Sequence, residues 1–413
     1  MIGGCWFHRH DGPEMRAAIR TTGGEEAVGE HFPAGITPGE KGWLRVSRNH
    51  TTGERVEGEA GAAVATAVRE TLTRLRAGEP LRAGALTLLP LLPAAPDVAR
   101  QTGFLPLAAA LEAKAFKIAE KQQESVPELH AVSTADLPVV LIGGEQVVGG
   151  LQNRVLNTTI LVAAHTALDI PVTCVEAGRW HGQRVPWAQT SSAPEPGDAR
   201  AFATQEVAYA KLRKAHSGYV SGSLSGAKGY RSDQGRVWNE VAQRVSSTRL
   251  ASPTMAMHSL YQAPERADRL GEMLAALPRP EGALGFVALV GDETLGAEVF
   301  TDEALASAYW EKLARSYALE ALDAEPSRTS PEATAPTDAP ADATANAAEA
   351  RLIVAALAGE IQVYLSPGLG SDVRVSGPRI SGAGLVYDGA LVHLSLFPED
   401  EVAAPAPAVA PAE

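Results

Sequence analysis

The 413-residue chain contains few cysteines and no long apolar run. Its only two cysteines, Cys5 and Cys174, lie far apart, which argues against a disulfide framework and for a cytoplasmic location. No apolar run approaches the roughly 18 residues of a membrane span. The charged start MIGGCWFHRHDGPEMR lacks the apolar segment of a secretory leader. We therefore expect a cytoplasmic protein without a membrane anchor.

Positive charge is also scarce, because 36 Lys and Arg stand against 49 Asp and Glu, for a formal net charge of -13. Nucleic acids and anionic membranes are bound largely through Lys and Arg. We therefore expect no general affinity for nucleic acid or for membranes.

The common motifs of cofactor and nucleophile sites are missing. The sequence contains no GxxxxGK[ST] phosphate loop, no GxGxxG after a strand, and no HExxH, CxxC or GxSxG. A Gly- and Ser-rich stretch at 218–229 includes Lys228 but lacks the spacing of a phosphate loop. The sequence thus identifies no cofactor, and we expect no metal site.

Apolar periodicity predicts an α+β fold. Strand-like runs lie within 81–180, 283–300 and 361–397, and helical spacing of apolar residues lies within 200–280 and 302–322. Short strands joined by tight turns favour a mainly antiparallel sheet, compatible with a sandwich-like arrangement, with the helices packed against it.

Turn residues indicate where several elements begin or reverse. Asp233 is placed to cap a helix whose valines recur every fourth position, and the pairs Gly291-Asp292 and Asp388-Gly389 mark hairpins. The last strands are too short to form a stable domain alone, so we expect them to complete the sheet that begins near residue 84.

Composition divides the chain into five parts. We expect a poorly ordered extension at 1–56, a main α+β domain at 57–323, and a Pro/Ala-rich linker or insertion at 324–349. A helix and strands at 350–398 would complete the main domain, and 399–413 would form a disordered tail.

The stretch from Val139 to Gly182 carries more hydrogen-bonding side chains than a structural sheet requires. In and near it, the candidate ligand-binding residues are Gln152, Asn153, Arg154, Asn157, Arg179, Trp180, Gln234 and Trp238. Amides beside an arginine can recognise a carboxylate or phosphate, and an indole can stack on a ligand. In the alternative interpretation, the amides and hydroxyls satisfy loop backbone groups. We predict a pocket at 145–181 for a small polar or anionic ligand or peptide.

Two other interpretations stay open. Glu145 and Glu176 each end or interrupt a predicted strand and could form an acid/base pair in a hydrolase or transferase, with or without a divalent metal. The chain could instead be a structural interaction protein whose polar stretch braces loops. Cys174 lies among apolar neighbours and is predicted to be buried and inert rather than a nucleophile.

Several segments resemble a known family. VPEL, GGEQVVGGLQNRVLNTTILV, IPVTCVEAGRW, SDQGRVW and LVYDGALVHLSLF are similar to the ARPP-type prokaryotic domain of unknown function, over roughly 81–323 and 350–398. The resemblance implies a shared fold for nearly all of the predicted body. It implies no catalytic role for any particular residue.

Overall fold

The computed structural model describes residues 45–46, 52–121, 127–150, 152–178, 202–248, 250, 252–324 and 341–399. Most of the predicted extension at 1–56 and nearly all of the predicted tail at 399–413 lie outside these ranges, as do the candidates Arg179 and Trp180. None of the helices in the described ranges combines the length and apolar character needed to cross a membrane.

Helices account for most of the segments that the sequence predicts as helical, but Phe202–Val207, at the start of the predicted helical range 200–280, forms a strand instead. Within the described ranges they are α1 (Gly58–Thr73), α2 (Leu107–Glu112), α3 (Ala210–Ser225), α4 (Gln234–Ser247), α5 (Ser259–Gln262), α6 (Pro264–Ala275), α7 (Glu303–Ala324) and α8 (Ala341–Ala358), with a 3-10 turn at Pro96–Val98. Asp233 caps α4, because its Oδ1 accepts a hydrogen bond from the backbone N–H of Arg236 at 3.1 Å. α8 begins within the stretch predicted as a linker.

The strands are short and mostly antiparallel. Within the same ranges they are β1 (Arg45–Val46), β2 (Leu75–Ala77), β3 (Leu81–Ala83), β4 (Leu86–Pro93), β5 (Leu105–Pro106), β6 (Phe116–Ala119), β7 (Glu128–Ser133), β8 (Val139–Leu141), β9 (Glu145–Gly149), β10 (Arg154–Leu156), β11 (Ile160–Val162), β12 (Thr166–Cys174), β13 (Phe202–Val207), β14 (Gly285–Val290), β15 (Glu293–Phe300), β16 (Glu360–Leu365), β17 (Ser371–Gly377), β18 (Ile380–Tyr387) and β19 (Ala390–Pro398). Together with the helices they confirm the predicted α+β class.

The largest sheet joins the first and last strands of the predicted body. Its nine strands follow the order β16-β17-β18-β19-β15-β14-β4-β2, with β3 also paired to β4. The C-terminal strands therefore complete the sheet that begins near residue 84, as predicted. Both predicted hairpins form, and Asp388 and Gly389 have φ values of 50° and 67°, as a tight turn of the primed type requires.

The two faces of this sheet differ in chemistry. Because neighbours on a strand alternate sides, Leu394 and Leu396 face the apolar layer that contains residues of α1 and α8. His393 and Ser395 face the opposite side, where α3 and α7 pack. Polar side chains of β15, β17 and β19 are thereby buried under helices rather than exposed to solvent.

The remaining strands form two further sheets. The seven-stranded sheet follows β13-β9-β10-β12-β7-β6, with β1 paired to β12, and the three-stranded sheet follows β11-β8-β5. The chain changes sheets at Gly143 and Gly144, where Gly144 adopts a φ of 81°. It changes again at 157–159, between β10 and β11. Both crossings lie at the junction that forms the site below.

Candidate functional site

Three candidate residues lie side by side around the start of β10. Antiparallel pairing of β10 with β12 sets Arg154 opposite Cys174, which places the preceding residues next to Glu176. Nε2 of Gln152 donates to the carbonyl oxygen of Glu176 at 2.9 Å, and the backbone N–H of Asn153 donates to its Oε2 at 3.2 Å. The strand register therefore brings Gln152, Asn153 and Arg154 together with Glu176.

Arg154 is buried and has an acidic partner within the fold. Its Nη1 donates to Oε1 of Glu120 at 2.7 Å, and its guanidinium lies 5.9 Å from the centre of the Phe202 ring. Burial raises the pKa of the adjacent Cys174 thiol, although Arg154 acts in the opposite direction. Cys174 is fully buried and protonated at neutral pH, so the prediction of a buried cysteine is confirmed.

Different groups hold the two candidate catalytic carboxylates. Oε1 of Glu145 accepts from Thr204 at 2.6 Å and from Nζ of Lys312 at 2.9 Å. Oε1 of Glu176 accepts from Thr254 at 2.7 Å. Glu145 thus belongs to the junction with α7, whereas Glu176 belongs to the end of β12.

Gln234 and Trp238 lie on the first turns of α4. The amide of Gln234 binds the backbone of Cys174 in both directions, accepting from its N–H at 2.9 Å and donating to its carbonyl at 2.7 Å. It therefore satisfies the backbone groups of Cys174, which lies beyond the part of β12 that pairs with β7. The indole Nε1 of Trp238 is buried and finds no hydrogen-bond partner among the described residues.

A cavity of about 30 Å³ lies where the 157–159 crossing meets α3 and the polar face of the nine-stranded sheet. Its lining residues are Gly143, Gly144, Asn157, Thr158, Thr159, Arg213, His216, Ser217, Ala383, Ser395 and Phe397. Of the candidate ligand-binding residues, Asn157 contributes to this lining. The cavity has room for about two water molecules or for a polar group of a few atoms.

Asn157 is fixed in one orientation by three neighbours. Its Nδ2 donates to the carbonyl of Tyr230 at 2.7 Å, and its Oδ1 accepts from Thr173 at 2.7 Å and from Nε2 of His216 at 3.1 Å. Burial, assisted by the charge of Arg374, lowers the pKa of His216 to about 3. His216 is therefore neutral at physiological pH, with its proton on Nε2.

A buried ion pair between α3 and β15 forms one wall. Nη1 of Arg213 donates to Oε1 of Glu298, and its Nη2 donates to Ser316 on α7 at 2.9 Å. The hydroxyl of Tyr317 donates to the same carboxylate at 2.8 Å. Burial opposes ionisation of Glu298, but Arg213 and His393 lower its pKa to about 2, so the pair is charged.

A chain of hydrogen bonds runs from this carboxylate to a cavity-lining hydroxyl. Nε2 of His393 lies 3.2 Å from Oε2 of Glu298, and Nδ1 of His393 lies 3.0 Å from Oγ1 of Thr159. The backbone N–H of Gly143 donates to the same Oγ1 at 3.1 Å. The His393 ring stacks on Phe300 with centroids 4.6 Å apart, which fixes its plane.

A second buried ion pair lies beside Thr158. Nε of Arg374 donates to Oδ1 of Asp372 at 2.7 Å, its Nη2 donates to Oγ1 of Thr158 at 2.9 Å, and that hydroxyl donates to Asp372. Nη1 of Arg374 is buried and has no hydrogen-bond partner in the part of the chain that the structure describes. Two buried guanidinium–carboxylate ion pairs, Arg213–Glu298 and Arg374–Asp372, therefore lie next to the residues that line the cavity.

The sequence interpretation missed most of this network, whose principal members are Arg213, Glu298, Asp372, Arg374 and His393. In DVRV and HLSLF, polar and apolar residues alternate, which is typical of a strand with one face in water. One signal pointed the other way: α7 carries apolar or small residues around most of its circumference, as a helix buried on all sides does. The strand face beneath such a helix must be buried too.

Within the described residues, no three His, Cys, Asp or Glu side chains are grouped as they are around a metal ion.

The comparisons with known proteins show the family to which the chain belongs. The chain has no match among curated proteins or among solved structures. A family model described as the ARPP-1 (ARG and Rhodanese-Phosphatase-superfamily-associated Protein) domain matches residues 74–397, most of the sequence. The chain therefore belongs to the ARPP-1 domain family.

Proposed function

We propose that the protein binds a small polar molecule, or a polar group of a larger one, in the cavity beside Asn157. The observation that carries this proposal is the lining: Asn157, Thr158, Thr159 and Arg213, residues with amide, hydroxyl and guanidinium groups, surround one small cavity. Convergent polar groups in a concave site are the usual means of orienting a ligand.

The alternative is that the network only holds the sheets together. Buried ion pairs are an inefficient way to do so, because well-packed apolar residues of the same volume are often equally or more stabilising. Two such pairs, Arg213 with Glu298 and Arg374 with Asp372, lie next to this cavity. We infer that these ion pairs instead fix the orientation of the hydroxyl and amide side chains that line the cavity.

Charge balance indicates the kind of ligand. Each buried guanidinium has its own carboxylate, and His216 is neutral at physiological pH. The lining therefore offers a ligand hydrogen bonds rather than an uncompensated positive charge. This favours an uncharged polar group, such as an amide, an ester or a hydroxyl, within the broader class of polar or anionic ligands that the sequence suggested.

Filling the cavity tests the proposal. Ser217→Leu puts a larger apolar side chain into the lining, and Ser225→Leu, on the exposed last turn of the same helix, is the matched control. We expect mass spectrometry of the purified wild type and of the Ser225→Leu variant to detect a copurifying small molecule that the folded Ser217→Leu variant lacks. Equal ligand content in all three proteins would refute binding at this cavity.

A further inference from the structure

We propose that Thr159 is a nucleophile activated by His393, and that the cavity accepts the carbonyl group of a small ester or amide and transfers its acyl group to the threonine. This inference rests on the proposed binding function and assigns a reaction to the same site. It is carried by the order of groups Thr159, His393, Glu298, which places a hydroxyl, a base and an orienting carboxylate in sequence.

The hydrogen bonds determine where the protons lie. Glu298 is ionised and can only accept, so the nitrogen of His393 that faces it, Nε2, carries the ring proton. In the neutral ring Nδ1 is then an acceptor, and the hydroxyl proton of Thr159 must point towards it. The proton that a nucleophile has to lose is therefore already directed at a base.

The oxygen of Thr159 also has a lone pair left for the reaction. A hydroxyl has two lone pairs and one proton. The N–H of Gly143 occupies one lone pair at 3.1 Å, and His393 receives the proton. The second lone pair is left for attack on a group in the cavity that Thr159 lines.

One charge that develops during attack is matched by a group already in place. As Oγ1 of Thr159 bonds to the carbonyl carbon, its proton moves to Nδ1 of His393, and the carbonyl oxygen becomes negative. The resulting imidazolium faces the ionised carboxylate of Glu298 across the Nε2 hydrogen bond, and this preorganised carboxylate stabilises it.

Completion of the reaction needs only water. The bond between the carbonyl carbon and the leaving alcohol or amine breaks, and the leaving group takes the proton from Nδ1 of His393. Water then attacks the threonyl ester while Nδ1 accepts a proton from that water. The products are a carboxylic acid and free Thr159, with the proton returned to the threonine oxygen.

Covalent labelling tests the assignment. The probes are methanesulfonyl fluoride, which sulfonylates activated hydroxyls with loss of fluoride, and p-nitrophenyl acetate, which acetylates them. We expect peptide mapping to place the modification on Thr159 in the wild type and on the serine in Thr159→Ser. Thr159→Val should remain unlabelled. Thr248→Val, which removes a hydroxyl that bonds to backbone carbonyls of its own helix, should label like the wild type.

A further measurement separates a reactive group from a structural one. His393→Gln, verified as folded by circular dichroism, should label on Thr159 about 100-fold more slowly than the wild type, because it removes the base that accepts the hydroxyl proton. Modification at another residue, or none on Thr159 in the folded wild type between pH 5 and 9, would overturn the assignment. If the copurifying molecule is still lost in Ser217→Leu, binding stands without the nucleophile. If neither ligand nor label is found, both proposals fail.

Discussion

Oδ1 of Asn157 accepts a hydrogen bond from Nε2 of His216 at 3.1 Å, and burial keeps this histidine uncharged at neutral pH. Both side chains are almost wholly buried. The pair links the 157–159 crossing to α3. Protonation of His216 would place a charge beside the cavity.

Stability should therefore depend on pH through His216. Burial lowers its pKa in the folded chain to about 3, against about 6.5 when unfolded. Between these values the unfolded state binds more protons, so the free energy of unfolding falls as the pH is lowered below about 6.5, by up to about 1.4 kcal/mol per pH unit. Urea denaturation from pH 7 to 5 should show a shallower decline for His216→Gln than for the wild type. The exposed His165→Gln should follow the wild type, and parallel curves for all three would contradict the account.

Loss of Arg213 should be costly. Arg213→Met leaves the carboxylate of Glu298 buried without its guanidinium, which we expect to lower the free energy of unfolding by about 3–5 kcal/mol. Arg236→Met removes an arginine whose ion pair with Asp233 is exposed, and it should cost less than about 1 kcal/mol. Guanidinium denaturation of the two variants makes the comparison, and equal losses would show that burial does not govern the contribution of these pairs.

The thiol of Cys174 should be unreactive while the protein is folded. The side chain is fully buried, so a reagent cannot reach it, and burial raises its pKa, so the thiol stays protonated at neutral pH. In a Cys5→Ser background, titration with Ellman's reagent should detect no thiol in buffer and one after unfolding in guanidinium. Rapid reaction in buffer would mean that β12 opens readily.

Two glycines near the cavity should respond to alanine in opposite directions. A Cβ on Gly218, within α3, meets no atom within 4 Å, so Gly218→Ala should stabilise the protein by about 0.5–1 kcal/mol. A Cβ on Gly144 would lie 2.7 Å from Cδ of Arg213, at a φ of 81°. Gly144→Ala should therefore lower the melting temperature, whereas Gly218→Ala should raise it. Equal shifts from thermal denaturation would exclude this explanation.

The local sequence correctly predicted those helices and turns that depend on a single capping or turn residue. Asp233 begins α4 because its carboxylate replaces a missing helix acceptor, and the Asp388-Gly389 turn forms because its backbone angles suit those residues. Pairing of the C-terminal strands with the sheet near residue 84 also followed, since strands that short need partners.

The composition of the cavity could not be predicted in the same way. Asp372 and His393 lie far in sequence from Thr158 and Thr159, and only the stacking of sheets and helices brings them together. Local alternation shows that they share a strand face but not whether a helix covers it. The polar stretch at 145–181 identified the 157–159 crossing, whereas its partners on α3, β15, β17 and β19 depend on tertiary structure.

Strand order also constrains when the protein can fold during synthesis. β19 lies between β18 and β15, so the two halves of the large sheet are joined through this strand, the last that the structure describes. Until the ribosome has released it, β15 lacks its neighbour and the His393 ring is absent from beside Thr159. The exposed edges of β15 and β18 would meanwhile be sites for mispairing with other chains, so both strands need protection on the nascent chain.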